Sequence, residues 1–175
     1  ISQKVLGREH PDVAIRLNNL GEVYRLQGRY ADAEPHIKRA LAITEKALGP
    51  EHPDVAQSLN NLALLNFAQG RYAEAEPLYK RALAIDEKAL GSDHPSVAQS
   101  LNNLATLYYE QGKYAEVEPL YKRALAIREN ALGSQHPDVA ENLENYAALL
   151  RKTGRTTEAT EMEARAKAIR AKHAR

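Results

Sequence analysis

The stretch 59-LNNLALLNFAQGRYAEAEPLYKRALAI-85 decides the fold. Leu59, Leu62, Ala63 and Asn66 fall at i, i+3, i+4 and i+7, the spacing of one helix face. Gly70 then offers a left-handed stop, and a second helical run extends from Ala73 to Leu90 before Gly91. Upstream, Pro53 suits the first position of a helix, where its missing N–H costs nothing. Residues 54–90 therefore read as two consecutive helices, A and B, joined by a tight turn.

The pattern recurs every 42 residues. Gly7, Gly49, Gly91 and Gly133 mark the period, as do the pairs His10-Pro11, His52-Pro53, His94-Pro95 and His136-Pro137. A second glycine series falls at Gly28, Gly70, Gly112 and Gly154, and residues 50–91 agree with 92–133 at 31 of 42 positions. Such periodicity signals stacked modules that bury a core only by leaning on their neighbours. The expected fold class is all-α: a single domain over 1–175, built as an α-solenoid of four helix pairs at 12–48, 54–90, 96–132 and 138–172. The opening "ISQKVLG" matches "ITEKALG" (43–49), so residues 1–6 read as the end of a preceding B helix. In the last B helix Glu163 replaces Tyr79 and Tyr121, and Lys167 replaces Leu83 and Leu125, the polar outer face of a terminal cap.

Composition excludes several functions. The 24 Lys and Arg nearly cancel the 23 Asp and Glu, leaving a formal charge of +1. No basic excess exists to neutralise a phosphate backbone, so nucleic acid is not the expected partner. No apolar run approaches the ~20 residues that cross a bilayer, so no membrane is expected either. The absence of cysteine fits a reducing cytoplasm, the expected location. The four periodic histidines lie 42 residues apart and are spread along the array, whereas zinc needs ligands converging within ~2–2.3 Å of one point. No metal, cofactor or catalytic motif is expected, and hence no enzyme.

Opposite the core stripe, the A helices collect amides. Asn19, Asn61, Asn103 and Asn145 occupy one position in all four copies, beside Gln57, Gln99, Asn60 and Asn102. A carboxamide donates two hydrogen bonds and accepts others. A row of them can therefore hold the main chain of an extended peptide while ignoring its side chains. The competing reading is that these amides pair with one another and set the repeat spacing. Leu64, Phe67 and Tyr109 lie on the same wall, and an apolar pocket is expected between Leu26, Leu64 and Phe67; alternatively, Phe67 packs down beside the adjacent helix.

These residues resemble the tetratricopeptide repeat. Leu62-Ala63, Gly70, Tyr72, Ala75, Tyr79 and Ala82 fall at its signature offsets, and the 42-residue spacing with its "LNNLA" and "ALGPEHPDVA" segments is similar to the kinesin light chain variant. The resemblance implies a right-handed superhelix whose concave groove binds short linear peptides. Co-chaperone members grip a C-terminal carboxylate with Lys, Asn and Arg at two groove positions of helix A. Here those positions hold Ile15/Asn19, Gln57/Asn61, Gln99/Asn103 and Glu141/Asn145, which keep the asparagines but not the cations. Kinesin light chains take peptides with an aromatic or leucine among acids, which Arg16, Arg25 and Arg151 could meet. The expected function is thus a non-catalytic scaffold binding a protein or peptide segment. The alternative is a spacer or regulatory arm of a larger protein, weakly self-associating through an uncapped N-terminal end.

Overall fold

The computed structural model describes residues 9–173. The expectation of a preceding helix over residues 1–6 lies outside them. Among the described residues there are eight helices and no strand. They are α1 (Pro11–Leu26), α2 (Tyr30–Leu48), α3 (Pro53–Ala68), α4 (Tyr72–Leu90), α5 (Pro95–Glu110), α6 (Tyr114–Leu132), α7 (Pro137–Lys152) and α8 (Thr156–His173). The odd-numbered helices are the A members of each pair. The chain divides into two compact units, Ile1–Leu90 and Gly91–Arg175, each with two helix pairs.

The His-Pro pairs start the A helices by a shared device. In His10, His52, His94 and His136 the ring Nδ1 accepts a hydrogen bond of 3.2 Å from the backbone N–H two residues on. The ring thereby occupies one of the donors that a helix start leaves unpaired. A histidine so engaged is a cap, which explains its period without a metal. At the other end Gly70 adopts φ +71°, and Arg71 N–H donates to Asn66 C=O at 2.9 Å, closing the helix as a left-handed stop.

In the first unit Val13, Ala14 and Leu17 of α1 pack on Ala40 and Ile43 of α2, and Val55, Ala56 and Leu59 of α3 pack on Ala82 and Ile85 of α4. The two pairs are joined by Leu62 and Leu65 of α3 seated on Ala33 and Ile37 of α2. The second unit repeats the plan: Val139, Ala140 and Leu143 meet Ala166 and Ile169, while Tyr146 and Leu149 of α7 seat on Val117 and Tyr121 of α6. Each fully buried aliphatic side chain contributes about 1.5–3 kcal/mol, so these small clusters together dominate the stability of each unit.

The Glu-to-Lys pairs along the B helices do more than decorate one helix. Glu34 holds Lys38 at 2.6 Å and also Arg71, at 3.1 Å, in the next helix pair. Glu118 holds Lys122 at 2.8 Å and takes two hydrogen bonds of 2.9 Å from Arg155. The Tyr146 hydroxyl donates a further one at 2.7 Å. Within each unit the two helix pairs are clamped at their polar rim as well as through their apolar seam.

Candidate functional site

The A-helix wall of the first unit begins with α1. Its buried stripe is Val13, Ala14, Leu17, Asn18 and Gly21, so Ile15, Arg16 and Asn19 point away from the core and are exposed. On α3, burial of Val55, Leu59, Leu62 and Asn66 turns Gln57 outward and leaves Asn60, Asn61, Leu64 and Phe67 half-buried. Asn18, the neighbour of Asn19, is spent internally: its Nδ2 donates to Ser58 Oγ at 2.8 Å.

In the second unit the amides are more entangled. Gln99 Nε2 donates to Asn103 Oδ1 at 2.9 Å, and Asn145 Nδ2 donates to Asn102 Oδ1 at 3.4 Å. Asn102 is only 3% exposed, which corrects its place on an open wall: α5 turns it inward, and its side chain serves the seam with α7. Asn103 and Asn145 remain half-buried, so their amide edges are still partly accessible.

Phe67 packs against the following helix, the second of its two readings, and Tyr109 makes the same kind of contact. The Phe67 ring lies 5.5 Å from that of Tyr72, at the start of the B helix of its own pair, and Tyr109 lies 5.6 Å from Tyr114 in the same way. Both rings fasten the A/B turn, while Leu26 is 70% exposed. Of the arginines expected to meet acidic ligands, two are engaged by their own chain. Arg25 makes hydrogen bonds of 2.8 and 2.6 Å to Glu22, and Arg151 makes two of 2.6 Å to Glu163. The guanidinium of Arg25 holds the Glu22 carboxyl below its ordinary pKa.

A cavity of about 120 Å³ opens at the other end of the wall, where α1, α2 and α3 meet. Ile15, Asn18, Asn19, Thr44, Asp54 and Gln57 line it. The sequence reading missed Thr44 because it looked for binding groups on A helices alone. One signal was available: position 44 becomes Asp86, Arg128 and Arg170 in the later copies, between unvarying isoleucine and glutamate-rich neighbours.

Among the described residues no group of three or more His, Cys, Asp or Glu could hold a metal ion. Nor is any helix there long and apolar enough to cross a membrane.

The chain was compared with known proteins. A sequence model of the tetratricopeptide repeat matches residues 1–46, 12–88, 54–130 and 118–172. None of the curated proteins compared with the chain matches it. Among solved structures, BtubC (BKLC) from P. vanneervenii is 30% identical with a TM-score of 0.82 over 93% of this chain, which spans 65% of that protein. A structure from Podosopora anserina, described as "putative kinesin light chain nearly identical TPR-like repeats", is 32% identical with a TM-score of 0.76, covering 97% of this chain and 80% of its own. Aspartyl phosphate phosphatase F from Bacillus subtilis shares the fold at 18% identity and a TM-score of 0.81, over 94% of this chain and 42% of its own. With its helix pairs, signature offsets and matching repeats, the chain belongs to the tetratricopeptide repeat family.

Proposed function

We propose that the chain is a non-catalytic scaffold that binds an extended segment of a partner protein along its A helices. The family as a whole supports the coarser part of this reading, since tetratricopeptide repeats are generally protein–protein interaction scaffolds without chemistry of their own. The observation that carries the finer part is the recurrent division of the A helix. In each unit one stripe is buried; Asn19, Gln57 and Asn61 in the first keep amide surface open, as in part do Asn103 and Asn145 in the second, where Gln99 is engaged by Asn103 and Arg128. Such groups read the main chain, so register is held while side-chain choice stays loose. A flexible peptide loses conformational entropy on docking, which sets the expected affinity in the micromolar range.

The test is a peptide-library selection followed by calorimetry on the Asn61→Ala, Asn103→Ala double variant. Binding should fall at least about tenfold, with helicity by circular dichroism unchanged. Selected peptides that bind the variant as well as the parent protein would overturn the amide reading. A self-associating spacer is the second reading, favoured by the exposure of Leu20, Val23 and Leu26 on α1, at 38%, 47% and 70%. Mass that rises with concentration in light scattering, without peptide affinity, would select it.

A further inference from the structure

The cavity of the first unit has a filled counterpart in the second. Arg128 of α6 is 2% exposed, an unusual state for a permanently charged side chain. Its Nη1 donates to Asp138 C=O at 2.8 Å and to Glu141 Oε2 at 3.1 Å, and its Nη2 donates to Gln99 Oε1 at 2.7 Å. Two periods earlier, the same positions hold Thr44 for Arg128, Asp54 for Asp138, Gln57 for Glu141 and Ile15 for Gln99. All four line the cavity. The guanidinium pocket of the second unit thus has a counterpart in the first, with threonine for its arginine, a neutral amide for its carboxylate and isoleucine for its third acceptor.

Thr44 does not fill the space left. Its hydroxyl turns back on its own helix and donates to Ala40 C=O at 2.8 Å. Asn18, which lines the cavity and is 8% exposed, has a buried Oδ1 with no hydrogen-bond partner. The one ionisable lining residue, Asp54, is acidic. Ile15 and Leu48, 53% and 37% exposed, supply an apolar wall of the kind on which an arginine's methylene stem lies. The volume of about 120 Å³ is several times what a single water needs, so the hollow has room for a small planar group.

We propose that this cavity receives an arginine side chain of the partner polypeptide, the guanidinium bonding to Gln57 Oε1 and the Asp54 carbonyl, the counterparts of two acceptors that hold Arg128. The inference rests on the peptide-scaffold reading only for the source of the arginine. The pocket itself is tested without any peptide.

The probe is N-acetyl-argininamide, titrated against the full chain and followed through the side-chain amide signals of Asn18 and Gln57 in proton–nitrogen spectra. Saturable shifts are expected at both, with a dissociation constant on the order of millimolar. The neutral isostere N-acetyl-citrullinamide should bind at least about tenfold more weakly, because the charge-assisted bonds are lost. Thr44→Arg should abolish the response by placing a guanidinium in the cavity from within. Gln57→Leu, at an exposed position where folding is not at stake, should weaken binding about tenfold. Equal binding of the citrulline analogue, shifts confined to other surfaces, or undiminished binding by Gln57→Leu would each overturn the proposal. Saturation here combined with intact peptide binding in the Asn61/Asn103 variant would leave the pocket standing and remove the amide row.

Discussion

The α2–α3 junction of the first unit and the α6–α7 junction of the second are assembled from corresponding positions, yet they solve different problems. The first is aliphatic at its centre, with Ile37 against Leu62 and Leu65, and hollow at one end. The second carries aromatic rings, Tyr121 and Tyr146 with centroids 6.3 Å apart, a buried arginine in place of the hollow, and a three-donor clasp on Glu118. Two junctions can therefore share one backbone plan while dividing their stability differently between apolar volume and polar bonds. The apolar stripe needs only bulk at the right period. The polar end needs particular atoms in particular places, and there the copies part company.

Arg128 offers the sharpest way to break this contrast. Arg128→Thr gives the second junction the side chain of the first and leaves Gln99, Glu141 and the Asp138 carbonyl without their shared donor. Removing one partner of a buried ion pair costs about 3–5 kcal/mol; Glu141, 45% exposed, can rehydrate, which places the expected loss at about 3 kcal/mol. Urea denaturation reads it. A change below about 1 kcal/mol would mean that the guanidinium only breaks even against its desolvation.

Gly21 marks a smaller asymmetry. The equivalent residues are Ala63, Ala105 and Ala147. A Cβ on Gly21 would lie 2.4 Å from Ile37 Cγ1 and 3.1 Å from its Cδ1, because a β-branched side chain stands where the next two copies place tyrosine. Gly21→Ala gains up to about 1 kcal/mol of helix propensity but overpacks the seam by about 1–3 kcal/mol. The expected net is a loss of about 1 kcal/mol, read by thermal melting. Combining it with Ile37→Ala should remove the clash, so the two substitutions together should cost less than the sum of their separate effects.

The repeat, the helix pairs and the core stripe were legible because each rests on spacing alone: Gly70 stops a helix and Leu59, Leu62 and Ala63 share a face whatever their neighbours do. The side-chain amides were not, because hydrogen-bond partners depend on rotamers and on which helix leans where. Asn102 and Asn103 are adjacent in sequence, but a 100° turn takes one into a seam and leaves the other at the surface. Arg128 was invisible for the same reason. A lone arginine on a B helix reads as solvated until three acceptors from two A helices are seen to converge on it. The His-Pro capping lies between these cases: its period is obvious in the sequence, while its bond through Nδ1 depends on the ring rotamer.

The last contrast concerns acid. Lys122, Arg155 and Tyr146 all stabilise the charged form of Glu118 and hold its carboxyl at a pKa of about 2. Glu34, with Lys38 and Arg71 only, is lowered as well. A carboxyl whose pKa is lower in the folded chain stabilises it above the unfolded pKa of ~4.3, and that contribution disappears as pH falls through the folded value. Because Glu118 is 28% exposed, solvent screening reduces its share to about 1 kcal/mol. Glu118→Gln should therefore melt below the parent protein at pH 7, with the gap shrinking to less than half by pH 3. Glu34→Gln should show the same sign with a smaller gap, since it lacks a counterpart of the Tyr146 hydroxyl: the corresponding residue is Leu62. Equal gaps for the two variants would assign the acid response to the paired cations alone and take the tyrosine out of the clasp.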